Sequence, residues 1–522
     1  MSTTKRRRHL YAKTTTVLHK PRGSFHPRVQ AVGPQHFGIV SVDCGKRRCK
    51  WMLADFYGTV LVPPTWVQLD RPQLDAMIGQ LRQAIAEHQL HDVVVAIERT
   101  GRYHHPVQHA LSAAGFDTRI VHPFVTHRQR QAASPDVKTD DVDLAAIFRG
   151  AALGFALLEP PLDLPAQTLR LLVRHRRDLV RKCSTLACQI REHLEAVWPG
   201  FADCFESFWD SQVAWYLVRE FATPAELVAA GRTGLAERLH HARIRFQQRT
   251  LDKVLLWAND AAAADLAAEW HRRIALVLVQ DRQRKTQEIQ ALEQELASAI
   301  VHTPYVLLLS FPGLNVASTA EFAGEMGPIT HYANSRTITG RAGLRPSRYQ
   351  SDQVDRANGR LARCANRRLR FAILTIAANL ISNNHYFNAL SLRWTAQGKD
   401  PRHTRVRVGQ RFVRIAFQMV AGRRLFHHPG LQQRHYILHK LTAFHSDHAT
   451  PSLRCLSDLQ AAIEQLPRPA YAEEAKPLQE ELERLHSRRR GPQALADVLP
   501  IVLARLGAPG IQSGTSGEHD AD

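Results

Sequence analysis

None of the seven cysteines (Cys44, Cys49, Cys183, Cys188, Cys204, Cys364 and Cys455) belongs to a CxxC pair or a zinc-ribbon spacing. An odd, scattered set of this kind is typical of reduced cytosolic thiols, so a disulfide framework is excluded and a cytoplasmic, nucleoid-associated protein is expected. No uninterrupted apolar run approaches the roughly 20 residues that span a bilayer, which argues against an integral membrane protein. The N-terminus is basic but has no apolar h-region, so it does not read as a secretory signal. Acidic residues are scarce. The chain has 48 Asp+Glu against 69 Lys+Arg, a formal net charge of +21. An excess of this size favours a polyanionic partner, because basic side chains on a nucleic-acid backbone release condensed counterions. Histidine is plentiful, at 28 residues. Neither His104-His105 nor His122 with His127 has a cysteine or carboxylate at ligand spacing, which argues against a zinc site.

At 522 residues the chain is long enough for about three domains. Residues 1–36 hold eight basic residues, no acid, and Pro21, Gly23 and Pro34; they read as a basic disordered arm. From Phe37 a mixed α/β domain is expected over residues 37–160, its element order being the pattern of a ribonuclease-H-like fold. Three short strands (38–43, 49–55 and from 60) are followed by helical spacing at Leu74, Met77, Ile78, Leu81 and Ile85. Val93–Ile97 reads as a buried strand ending at Glu98, and a helix near 107–114 leads to a strand at 118–121. A further helix starts near Thr139. Residues 165–303 read as a helical spacer with a coiled-coil arm that pairs protomers. Residues 304–425 form a third, mainly α-helical region that opens with a helix–turn–helix around Pro312-Gly313. A helical extension with a disordered Gly/Ser/acid-rich end occupies 426–522.

Four carboxylates fall where such an α/β domain gathers acid. Asp43 ends the first strand and Glu98 the fourth, while Asp140 and Asp143 stand three apart on one helical face. Carboxylates crowded together repel unless cations neutralise them, and hard divalent cations held by oxygen suit in-line phosphoryl transfer. Each residue also has a plainer explanation. Asp43 can shape a turn, Glu98 can pair with Arg99 or Arg102, and Asp140 and Asp141 suit a helix start capped by Thr139. Asp141, between the pair, is expected to point elsewhere.

These motifs resemble a known family. SVDCGK with ADFYG, then IERTGRY, then KTDDVDLAA, resemble the N-terminal domain of the DEDD-type insertion-sequence transposases. FPGLNVASTAEFAGEMG resembles that family's helix-hairpin-helix. GRAGLRPSRYQS followed by RLARCANRRLR resembles its C-terminal signature. The match runs in order over about Phe37–Leu425. The resemblance implies a RuvC-like domain, a coiled coil and a serine-bearing transposase domain. It implies that Asp43, Glu98, Asp140 and Asp143 bind divalent metal, Mg2+ being expected, and that Ser351 is the nucleophile joined to DNA phosphate. It also implies a bridge-type guide RNA and a homo-oligomer, dimer or tetramer, in which tetrad and serine come from different protomers. Three positions depart from the pattern: Asp352 replaces the glycine after the serine, Ala365 the glycine before Asn366, and Asn315 the second glycine of the hairpin.

The serine region is also dense in charge. Ten arginines lie between Arg336 and Arg370, against Asp352 and Asp355. Of these, Arg341, Arg345, Arg348, Arg367, Arg368 and Arg370 are the expected nucleic-acid contacts, since a guanidinium fork suits bidentate phosphate binding. A second set, Arg402, Arg405, Arg407, Arg411 and Arg414, alternates with apolar residues as on a half-packed helix. Two other readings remain open at this point. A RuvC-like junction resolvase needs only the carboxylates, and an inactive nucleic-acid-binding descendant would accommodate Asp352. A sugar-kinase or actin-type ATPase is disfavoured, because no second Gly-rich phosphate loop follows.

Overall fold

A computed structural model describes residues 23–159, 162–351, 354–356, 359–362, 365–426 and 437–466. The expected arm over 1–22, Asp352 and the Gly/Ser/acid-rich C-terminal stretch lie outside the described residues. The chain divides into two compact units, residues 1–161 and 162–522.

In the first unit, α1 (His26–Val32) precedes β1 (Phe37–Cys44), β2 (Arg48–Asp55) and β3 (Val60–Gln68), an antiparallel meander. Then come α2 (Arg71–Glu87), β4 (Asp92–Glu98), α3 (His104–Ala113), β5 (Asp117–Val121), α4 (Pro123–Ala133), α5 (Asp140–Ala152) and the short β6 (Ala156–Leu157). The sheet order is 3-2-1-4-5-6, with β4 parallel to both β1 and β5. This is the ribonuclease-H-like arrangement, built on the expected order of elements. Side chains alternate across the sheet. Val40, Val42, Val95 and Ile97 pack with Leu74, Met77 and Leu81 of α2 and with Val107 and Leu111 of α3. Phe37, Ile39, Val94 and Ala96 share the opposite face with Ile147 and Ala151 of α5.

One expectation is corrected here. Residues 23–36 were assigned by composition to the disordered arm, yet Phe25 and Val29 are buried in the α5-side core. Arg28 donates to Asp92 (2.7 and 2.5 Å) and to Asp117 (2.5 Å), where β4 and β5 begin. Composition misleads because Phe25, Val29 and Val32 recur at helical spacing inside a basic stretch. Deleting residues 1–22, which removes seven basic side chains, is expected to lower the salt dependence of nucleic-acid binding. Extending the deletion to 36 removes the Arg28 bonds, at about 1.5–3 kcal/mol for a charged hydrogen bond, together with two core side chains, and should lower Tm. Thermal melts of the two truncations check this, and equal Tm values would refute the packing role.

In the second unit, α6 (Leu164–Val197) and α10 (Ala268–Val301), each 34 residues, run antiparallel for about 50 Å at 1.5 Å per residue. Leu169 and Val173 of α6 share a core with Leu296 and Ile300 of α10. At the other end, Ile190 and Leu194 share one with Val279 and with α7 (Gln212–Glu220), α8 (Pro224–His241) and α9 (Gln248–Asn259). The near-heptad seam thus pairs two helices of one chain, where the sequence reading had it pair protomers. The remaining elements are α11 (Val316–Met326), α12 (Ser335–Arg341), β7 (Tyr349–Ser351), β8 (Val354–Arg356), α13 (Arg367–Asn383), α14 (His385–Ala396), α15 (Pro401–Ala421), α16 (Ile437–Asp447) and α17 (Ser452–Gln465).

Tyr305, Phe311, Phe322, Ile373, Phe412, Phe426, Leu441 and Cys455 join the inner ends of α6 and α10 in one core. The expected boundaries near 303 and 425 therefore separate no structural units: spacer, serine region and extension are continuous. Gly324 lets α11 approach α6, since a Cβ there would lie 2.7 Å from Val173 Cγ2 and 3.1 Å from the Leu169 carbonyl. The segment before Pro312-Gly313 is a 3-10 turn (Pro304–Ser310) instead of the expected α-helix.

Candidate active site

The alternation that builds the sheet also gathers the acid. Phe37, Ile39, Ser41 and Asp43 occupy one side of β1, and Val94, Ala96 and Glu98 the same side of β4. The parallel register pairs Val42 with Ile97, so Asp43 and Glu98 follow one step further at neighbouring strand ends. α5 crosses this face. Thr139 caps it by accepting from the Val142 amide (3.3 Å), which sets Asp140, Asp141 and Asp143 in its first turn, where the helix dipole favours negative charge. Asp143 is buried at 6 % exposure, in line with Ile147 and Ala151, while Asp140 is exposed. Asp141 turns aside to Lys50 (2.5 Å).

The four expected residues thus share one end of the sheet and one electrostatic field. Burial, then the charges of Asp143 and Asp140, push the Asp43 carboxyl above its ordinary range. Burial, then Asp43 and Asp143, push Glu98 up to about 7, against the pull of Arg130 and Lys138. Asp143 is held by Arg130 of α4, a helix and a residue that the sequence reading did not anticipate. Among the described residues, no three His, Cys, Asp or Glu side chains stand close enough together to hold a metal as they are. The donors nonetheless fit a hard divalent cation, being carboxylate oxygens whose mutual repulsion is only partly relieved by Arg130 and Lys138. Lys50 was also missed; the β1–β2 register, which sets Asp43 opposite Lys50, was the signal that would have found it.

A pH effect follows. Without metal, folded Glu98 keeps its proton up to about pH 7, whereas the unfolded side chain ionises near 4.5. The folded state therefore binds more protons in that window, and stability falls as pH rises through it. Glu98→Gln is expected to flatten this part of the Tm-against-pH curve in EDTA. An unaltered curve would refute the raised carboxyl.

In the second unit, Ser351 ends β7 and is exposed, opposite Val354 in a two-stranded hairpin with β8. Of the expected arginines, Arg341, Arg345, Arg348, Arg367 and Arg368 are exposed, and Arg345 donates to the Arg336 carbonyl (3.4 Å). Arg341 donates to the Met326 carbonyl (3.2 Å) and to Tyr332, and Arg370 donates to the carbonyls of Ala342 (2.8 Å) and Ala362. These two brace the backbone of the serine region. Asn366 caps α13, accepting from the Arg368 and Leu369 amides (3.1 and 3.0 Å), and donates to buried Glu325 (3.2 Å). Burial alone would raise Glu325, but the Arg174 guanidinium at 2.8 and 3.0 Å and the Asn366 bond hold it below the usual carboxylate range. Asn315 caps α11, its side chain accepting from the Ser318 amide (2.8 Å), so it occupies a donor of the hairpin itself.

Residues 40–199 match the DEDD transposases of the IS110 type, and residues 305–392 match the transposase IS116/IS110/IS902 family. The chain is 24 % identical over 399 residues to the insertion element IS116 uncharacterized 44.8 kDa protein of Streptomyces clavuligerus, covering 74 % of this chain and 95 % of that one. It is 23 % identical over 289 residues to the insertion element IS110 uncharacterized 43.6 kDa protein of Streptomyces coelicolor, covering 55 % and 71 %. With the ribonuclease-H-like sheet, these matches define a DNA transposase, an enzyme of phosphoryl transfer that acts on DNA. Within that class the matched segments are similar to the IS110-type DEDD transposases, a family that generally uses divalent metal. Among the described residues, no helix is long and apolar enough to cross a membrane.

Proposed function

We propose that this transposase cuts and exchanges DNA strands at the cleft of Asp43, Glu98, Asp140 and Asp143, with Ser351 as covalent nucleophile, as a homo-oligomer guided by a structured bridge-type RNA. The observation that carries the reading is the convergence of four carboxylates at the ends of β1 and β4 and the start of α5, where burial and then the neighbouring carboxylates raise Asp43 and Glu98. Mg2+ is the cation proposed there; when bound, it would neutralise charge on the attacking and leaving oxygens. The protein's own residues do the rest. Ser351 loses its hydroxyl proton, its Oγ bonds to phosphorus, and the displaced sugar oxygen takes a proton. Arg345, Arg348, Arg367 and Arg368 are exposed and would stabilise charge on the phosphoryl group.

The test is metal-dependent trapping of end-labelled element DNA as a protein–DNA adduct, with sequencing of the RNA that co-purifies. An adduct that forms only with divalent metal, and one enriched RNA encoded beside the gene, is the expected result. Cleavage without an adduct would instead support the junction-resolvase reading.

A further inference from the structure

A row of side chains crosses three strands beside the acidic cleft. Asp43 on β1 stands opposite Lys50 on β2, and Lys50 stands opposite Trp66 on β3. Directly opposed residues of antiparallel strands project to the same side of a sheet, so all three share the α5 face. A single cavity of about 510 Å³ is lined by Asp43 and Asp140 on one side, by the β1–β2 turn from Cys44 to Arg48, and by Trp66 and Gln68. Lys46, Arg47 and Arg48 are exposed in that turn. The Arg48 guanidinium lies 3.9 Å from the centre of the Trp66 ring and the Lys50 ammonium 5.2 Å from it. Trp66 itself is 40 % exposed.

This arrangement costs stability unless it serves a ligand. An indole 40 % open to water forgoes part of its hydrophobic gain, and three adjacent cations repel one another. Carboxylates also repel a phosphodiester, so a strand reacting beside Asp43 and Asp140 needs attraction from close by. Cations in a groove with an aromatic platform are what single-stranded nucleic acid binds, its phosphates following the charge and its bases stacking on the ring. We propose that the β1–β2 turn and Trp66 form a strand-guiding subsite of this cleft. In it, the DNA phosphates next to the reacting one lie on Lys46 and Arg47, and one unstacked base rests on the Trp66–Arg48 pair. The proposal rests on the reading of the carboxylate cleft as the reacting centre.

The experiment uses the full-length protein and a short single-stranded element-end DNA with 5-iodouracil beside the cleavage position, in EDTA. Photo-cross-linking with peptide mapping is expected to place the adduct on Trp66, and Trp66→Ala to abolish it. Trp66→Ala should weaken binding of this strand roughly 5- to 160-fold, the loss expected for one stacked base, and Trp66→Phe should restore most of it. Paired Lys46→Ala and Arg47→Ala changes should reduce the salt slope by about 1.4, at about 0.7 per phosphate contact on single strands. Unchanged affinity, slope and cross-link in all variants would overturn the subsite. Preferential cross-linking of an RNA strand of the same sequence would overturn its assignment to DNA. Metal-dependent cleavage by Asp43→Asn separates the two claims: if it persists while Trp66→Ala loses binding, the carboxylate reading fails and the nucleic-acid surface stands.

Discussion

Asp43→Asn, Glu98→Gln and Asp143→Asn are each expected to reduce metal-dependent strand cleavage by about a thousandfold or more. The estimate follows from several kcal/mol of transition-state charge stabilisation passing through a metal-held site, at 1.36 kcal/mol per factor of ten. The replacements keep side-chain shape, so the sheet and α5 should persist; Tm in EDTA should rise or hold for Asp43→Asn and Glu98→Gln because a repelling charge leaves a crowded cluster, and should fall for Asp143→Asn because Arg130 loses its buried ion pair. Asp141→Asn is the internal comparison. It lies in the same helical turn, but its carboxylate pairs with Lys50 at 60 % exposure, and exposed ion pairs contribute little. Its cleavage rate should stay within about tenfold of the parent, on the scale of 1.36 kcal/mol per factor of ten. A loss equal to the other three would show that Asp141 belongs to the reacting cluster.

Ser351→Ala is expected to eliminate the covalent protein–DNA product while leaving nucleic-acid affinity within about twofold, since the exposed arginines proposed to contact phosphate remain. A serine hydroxyl is a weak nucleophile at neutral pH and acts only where a base, a metal or surrounding cations activate it; without Oγ no such bond forms. Denaturing gels of labelled DNA check the adduct, and its persistence in Ser351→Ala would sink the assignment. If tetrad and serine are supplied by different protomers, mixing Ser351→Ala with Asp43→Asn protein should restore part of the activity. No recovery from co-assembled protein would count against sharing.

Much of the acidic site was legible because its determinants are local. Short runs rich in β-branched residues set the strands at 38–43 and 93–97, so the acids at their ends could be assigned without coordinates. Thr139 before Asp140 marked a helix start, and the three-residue spacing marked the shared face of Asp140 and Asp143. Less was legible in the serine region. Arg341 and Arg370 look like Arg367 and Arg368 in sequence, yet their guanidinium groups end on backbone carbonyls. Whether an arginine faces solvent or caps a turn depends on which carbonyls the fold leaves unpaired nearby, and composition does not report that.

By itself the sequence determined the basic surplus, the order of strands and helices, and the positions of the four carboxylates, because charge, periodicity and capping act within a few residues along the chain. Only the tertiary structure decided what stands across from them. It put Arg130 on Asp143, Lys50 on Asp141, and Trp66 in the same cross-strand row as Asp43. It paired α6 with α10 inside one chain and buried Phe25 and Val29 in a stretch that composition gives to a disordered arm. These choices rest on contacts between segments far apart in the chain. Their energy comes from burying apolar area and pairing charge once the elements meet, and no local pattern encodes which distant surface will supply the partner.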